Sequence, residues 1–113
     1  LTPSDITQAI RWAKTLAYGL AWSGRQLHRV DDVVSAAMTA LAGAIRRFDE
    51  TRGDPLVPRF IRLKTYAGSH VVGEILDAIA AGRRTDAFEL ALDEALPDDG
   101  LPDDATPEET VEG

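Results

Sequence analysis

The side chains with which this sequence could do covalent or metal chemistry are few. They are two histidines, His28 and His70, four serines, Ser4, Ser23, Ser35 and Ser69, and the paired aspartates Asp98-Asp99 and Asp103-Asp104. The histidines stand 42 positions apart, without carboxylates at ligand spacing, so each reads as a surface or capping residue. None of the serines lies in the tight strand-to-helix turn that exposes a hydrolase nucleophile. No strand pattern occurs, so no glycine-rich phosphate loop can follow one. The aspartate pairs miss the spacing of a calcium loop and read as a solvated tail. The chain has no cysteine, which excludes disulfides, thiolate metal sites and a cysteine nucleophile. The expectation is a protein that is not an enzyme, with no catalytic residue, no metal and no cofactor.

Charge is the stronger signal. The 113 residues carry a formal −7, but the sum hides a split. Residues 1–84 hold all twelve basic residues against eight acidic ones, a net +4, while residues 85–113 hold eleven acidic residues and no Lys or Arg. Fields at a protein surface act over roughly 8–10 Å in physiological salt, so a basic body and an acidic tail address partners separately. The apolar share of 44% can supply one small core. No apolar run approaches the ~18 residues of a membrane span, and the opening residues carry no signal-peptide pattern. A soluble, cytosolic domain with no membrane partner is expected.

The elements that must position these charges are helices. Ser4 and Asp5 suit a helix start, and Ile6, Ala9, Ala13, Leu16 and Leu20 recur at the helical period to Gly24. Trp12 and Trp22 are expected to pack in the core of this first helix, residues 4–23. Asp31 and Asp32 open a second helix, 31–48, with Val34, Ala37, Leu41, Ala44, Ile45 and Phe48 inward and Arg46-Arg47 opposing the dipole at its end. Pro55 and Pro58 make 54–62 a loop. A third helix follows over 63–81, closed by Gly82, with a bend or close packing expected at Gly68 and Gly73. A short fourth helix, 85–96, carries Phe88, Leu92 and Ala95 on one side. From Pro97 on, prolines and acids cannot build a core, and disorder is expected. The domain division is therefore 1–84, 85–96 and 97–113, in an all-α, compact three- to four-helix bundle.

An ordered set of short signatures runs through the body. Asp32-Val33-Val34-Ser35 leads to Phe48-Asp49-Glu50-Thr51-Arg52-Gly53, and then to Thr65-Tyr66-Ala67. The set resembles region 2 of bacterial RNA polymerase sigma factors. That family reads Asp-Leu-Ile-Gln-Glu-Gly, an apolar stretch, Ala-Val-x-x-Phe-Asp/Glu, a basic-Gly turn, then Phe-x-Thr-Tyr-Ala. From Asp32 to Gly53 no gap is needed: Asp32, Leu41, Ala44, Phe48 and Gly53 fall in register, with Val33, Val34 and Ile45 as close substitutes. The run from His70 to Asp77 is similar to the Arg-Ile-Arg-Gly-x-Ile/Met-Leu-Asp of flagellar and sporulation-type members. The resemblance spans residues 8–84.

The resemblance implies a sigma-like transcription initiation protein. Its second helix would dock on the clamp helices of the largest subunit of core RNA polymerase, through the matched positions Asp32, Ser35, Met38 and Ala42. Steps of three and four put these on one face, roughly opposite the apolar one. The third helix and the turn before it would contact the promoter −10 element, mainly its single strand, through Phe48, Arg52, Thr65 and Tyr66. Arg59, Arg62 and Lys64 would add positive charge for phosphates.

The chain also departs from the family. Ser69 and His70 stand where housekeeping members place two tryptophans that wedge the duplex open. Ser35 and Ala36 replace a glutamine and a glutamate, Val72 replaces an arginine, and the turn after Gly53 carries an insertion. Residues 85–113 do not resemble the domain that reads the −35 element, so specificity would need the polymerase, a partner protein supplying −35 recognition, or a longer native chain. The alternative is a helical regulatory or interaction module that binds polymerase or a partner sigma subunit without reading DNA. The acidic tail, tethered at high effective concentration, would screen the DNA-facing surface; its plainer role is to solubilise.

Overall fold

In the computed structural model residues 1–96 are described; the disorder expected from Pro97 onward lies outside them. Three α-helices, α1 (Pro3–Ser23), α2 (Val30–Arg47) and α3 (Arg59–Ala95), account for most of these residues, with one 3-10 turn at Leu27–Arg29 before α2. Among the described residues there is no strand, so the fold is all-α. No described helix is long and apolar enough to cross a membrane.

Each helix boundary has a local cause. Thr2, rather than Ser4, caps α1: its hydroxyl accepts the Asp5 amide N–H at 3.1 Å, and the Asp5 carboxylate accepts the Thr2 N–H at 3.1 Å. Pro3 takes the first helical position, where the missing N–H costs nothing, and this carries the start upstream of Ser4. Ser4 instead accepts from Gln8. α2 begins with Asp31 and Asp32 in its first turn and ends with Arg46 and Arg47 in its last, both opposing the macrodipole. It stops at Phe48, whose ψ of 128° is extended.

α3 differs most from the sequence expectation. It starts at Arg59, inside the expected loop, because Pro58 precedes the first turn and offers its carbonyl to the Arg62 N–H at 3.1 Å. It also passes through Gly82 without a break, so residues 85–95 are its continuation and not a separate fourth helix. Gly82 is buried and serves close approach. A Cβ there would lie 2.9 Å from Cδ of Gln26 and 3.0 Å from Cδ of Arg29. By contrast, a Cβ at Gly68 or Gly73 would meet nothing within 4 Å, which removes the expected close packing at both.

The chain divides into two units, Leu1–Gly82 and Arg83–Gly113. The core of the first is built on steps of four. α1 contributes Ala9, Ala13, Ala17 and Ala21, and α3 contributes Leu63, Ala67, Val71, Ile75 and Ile79. From α2 come Val33, Ala37, Ala40, Leu41 and Ala44. Alanines on α1 leave room for the larger side chains of the other two helices, and Trp12, Leu16 and Leu20 pack at the margin. Trp22, expected in the core, is 72% exposed: four alanines fill the inward side and turn it to solvent. In the second unit Phe88, Leu92 and Ala95 are exposed.

Candidate functional site

The segment between α2 and α3 is held by side chains rather than by regular structure. Asp49 closes one turn, accepting the Thr51 N–H at 2.9 Å and the Thr51 hydroxyl at 2.6 Å. Asp54 closes another, accepting the Leu56 N–H at 2.9 Å. Gly53, at φ +88°, supplies the left-handed turn that a side chain would strain. Arg62, one turn into α3, reaches back over this loop. Its Nε donates to the Val57 carbonyl at 3.0 Å, and its Nη1 donates to the carbonyls of Glu50 and Arg52 at 2.7 and 2.9 Å.

That clamp walls a cleft of about 460 Å³ lined by Arg47, Phe48, Asp49, Arg52, Gly53, Val57, Arg62, Thr65 and Tyr66. Phe48, the residue that ends α2, meets Tyr66 on α3 with ring centroids 5.8 Å apart at 52°, within the range of favourable tilted aromatic pairs. Tyr66 remains 49% exposed, so its side chain is accessible from the cleft. Arg47 and Arg52 supply positive charge and Asp49 a negative one. The Thr51 hydroxyl, then the Thr51 amide, hold the Asp49 carboxyl below its ordinary value, with Arg52 adding to the effect. A cleft with an aromatic floor, guanidinium groups and a hydroxyl is chemically suited to a planar, hydrogen-bonding, anionic ligand such as a nucleotide.

Five of the seven residues expected to face DNA line this cleft: Phe48, Arg52, Arg62, Thr65 and Tyr66. The other two do not. Arg59 lies 3.6 Å from the Asp5 carboxylate and 3.5 Å from that of Glu50, because α3 begins there and points it at the start of α1. Lys64 stacks over the Phe60 ring, 5.4 Å from its centroid. Arg62 lines the cleft and at the same time donates to three loop carbonyls. Four lining residues, Arg47, Asp49, Gly53 and Val57, were not among those expected to face DNA, although Asp49 and Gly53 belong to the motif that pointed there. Arg47 had a signal, since it directly precedes Phe48; Val57 had none, because only the loop's path brings it in.

On α2, Asp32, Ser35 and Ala42 are exposed on the outward side, as the expected polymerase-facing stripe requires. Met38, at the edge of the stripe, is half-buried, with part of its side chain packed against the core. Among the described residues no group of three or more His, Asp or Glu is placed to hold a metal ion. Comparison with family models, curated proteins and solved structures finds no match to this chain.

Proposed function

We propose that this chain is a sigma region 2-like transcription initiation protein. It docks on core RNA polymerase through the outward face of α2 and receives single-stranded −10 bases in the Phe48–Tyr66 cleft. The observation that carries the reading is the cleft itself. Residues at both ends of one loop, five of them singled out from a resemblance of motifs, line one recess in which aromatic rings, guanidinium groups and a hydroxyl converge. The test is crosslinking of single-stranded −10 DNA in the presence of core polymerase. Crosslinks that disappear in Tyr66→Ala, while polymerase binding persists, are expected. Undiminished crosslinking to that variant overturns the DNA reading. Loss of polymerase retention in an Asp32→Ala/Ser35→Ala variant is expected for docking through α2, and unchanged retention removes that part.

A second reading is favoured by a specific observation. Three of the cations that would hold phosphates are engaged within the protein: Arg62 by carbonyls, Arg59 by carboxylates and Lys64 by Phe60. In this reading the chain is a regulatory module that occupies polymerase, or a partner sigma subunit, without reading DNA. Polymerase binding with no Tyr66-dependent crosslink is its signature.

A further inference from the structure

The solvent side of α1 carries a pattern that neither polymerase docking nor the Phe48–Tyr66 cleft uses. Between Ile6 and Val30 the chain has no acidic residue, and Arg11, Lys14, Arg25 and Arg29 are all positive. Arg11, Lys14, Tyr18 and Trp22 recur at steps of three and four, which aligns them along one side of the helix. All four are exposed, Trp22 at 72% and Tyr18 at 50%. Trp22 also borders a recess of about 520 Å³ with Ser23, Arg25, Leu27 and His28. Arg25 sits at φ +59°, a conformation in which glycine would be less costly. A bulky cation therefore stands at the one position of the turn where local physics prefers no side chain.

We propose that this face of α1 binds single-stranded nucleic acid, stacking bases on Tyr18 and Trp22 and holding phosphates with Arg11, Lys14 and Arg25. Exposed rings interleaved with unopposed cations are the elements of a sequence-tolerant stacking platform. From Arg11 to Trp22 the helix rises about 16 Å, enough for on the order of three to five nucleotides. A duplex keeps its bases stacked on each other and offers the rings no partner. An anionic membrane is the poorer fit, because insertion needs a broad apolar face, and the apolar side of α1 is closed in the core. The inference does not rest on the promoter reading, and the two recesses share no lining residue.

The test uses the full chain and a labelled oligothymidine, followed by fluorescence anisotropy at low salt. Binding is expected, with a clear preference for the single strand over a duplex of equal length. The Tyr18→Ala/Trp22→Ala variant is expected to bind roughly ten-fold more weakly or worse. Arg11→Gln/Lys14→Gln lowers the salt-dependence slope by about 1.4, the value for two lost single-strand phosphate contacts. Arg25→Gly separates function from folding: its Tm stays equal or rises while its affinity falls. Absence of binding, equal binding by the double aromatic variant, or equal affinity for duplex overturns the proposal. So does binding only to phosphatidylserine vesicles. Binding that is lost in Tyr66→Ala but kept in Tyr18→Ala/Trp22→Ala places the strand in the other cleft, and overturns this proposal while favouring the promoter reading.

Discussion

Arg62 carries five N–H donors in a rigid fork, and its contacts to the carbonyls of Glu50, Arg52 and Val57 hold the loop that walls the cleft. Hydrogen bonds from a charged donor are each worth about 1.5–3 kcal/mol, and those on one side chain are not additive. Arg62→Ala is expected to destabilise by about 2–3 kcal/mol in urea unfolding. Arg62→Lys recovers little, because an ammonium cannot reach all three carbonyls in the fork geometry. Two glycines of α3 give opposite expectations. Gly73→Ala has open space for its methyl and should stabilise by about 0.5–1 kcal/mol through helix propensity. Gly82→Ala forces the methyl into Gln26 and Arg29 and should destabilise by about 1–3 kcal/mol. Thermal melts of the pair decide both, and the sequence pattern, which set Gly73 inside the helix and Gly82 at its end, did not show this difference.

At the scale of elements, the N-terminus of α1 depends on a reciprocal pair. The Thr2 amide holds the Asp5 carboxyl below its ordinary 3.8, with the Thr2 hydroxyl and Arg59 adding smaller effects. A carboxyl lowered in the folded state contributes stability that is fully present above its unfolded value and lost as pH falls through the folded one. The Tm of the wild type should therefore exceed that of Asp5→Ala near neutral pH, and the gap should close as pH drops below 3.8. A gap that persists in strong acid would show that the cap does not depend on the carboxylate charge. Helices α1 and α2 were legible because their apolar residues recur with the helical period and end at Gly24 and at the polar run Asp49–Gly53, although Phe48, read as the last residue of α2, lies just past its end. The length of α3 was not, since Pro58 and Gly82 read as breaks when each is compatible with a helix: one precedes the first turn, the other fills a close approach.

For the whole molecule, charge distribution sets what can approach. Residues 98–113 hold seven acidic side chains and no basic one, so removing residues 97–113 changes the formal charge from −7 to 0. Like charges near a binding surface reduce association of an anion, and salt screens the effect. The truncated chain should bind single-stranded oligonucleotide more tightly than the full chain at low salt, with the difference shrinking as salt rises. Anisotropy titrations at two salt concentrations check this, and equal affinity at low salt would remove any screening role for these residues.

Composition and periodicity by themselves determined the helical class, the basic body, and which side of α2 is apolar. Those properties follow from local sequence, because helix propensity and amphipathic spacing act over three or four residues. The outward placement of Asp32, Ser35 and Ala42 was legible for the same reason. Tertiary structure decided what lies between elements. It joined Phe48 to Tyr66 and brought Val57 to the same cleft, turned Arg59 toward Asp5 and Arg62 toward backbone carbonyls, and left Trp22 in solvent. Each outcome depends on which side chains compete for one space or one partner, and residues brought together across a loop carry no mark of that competition in their spacing.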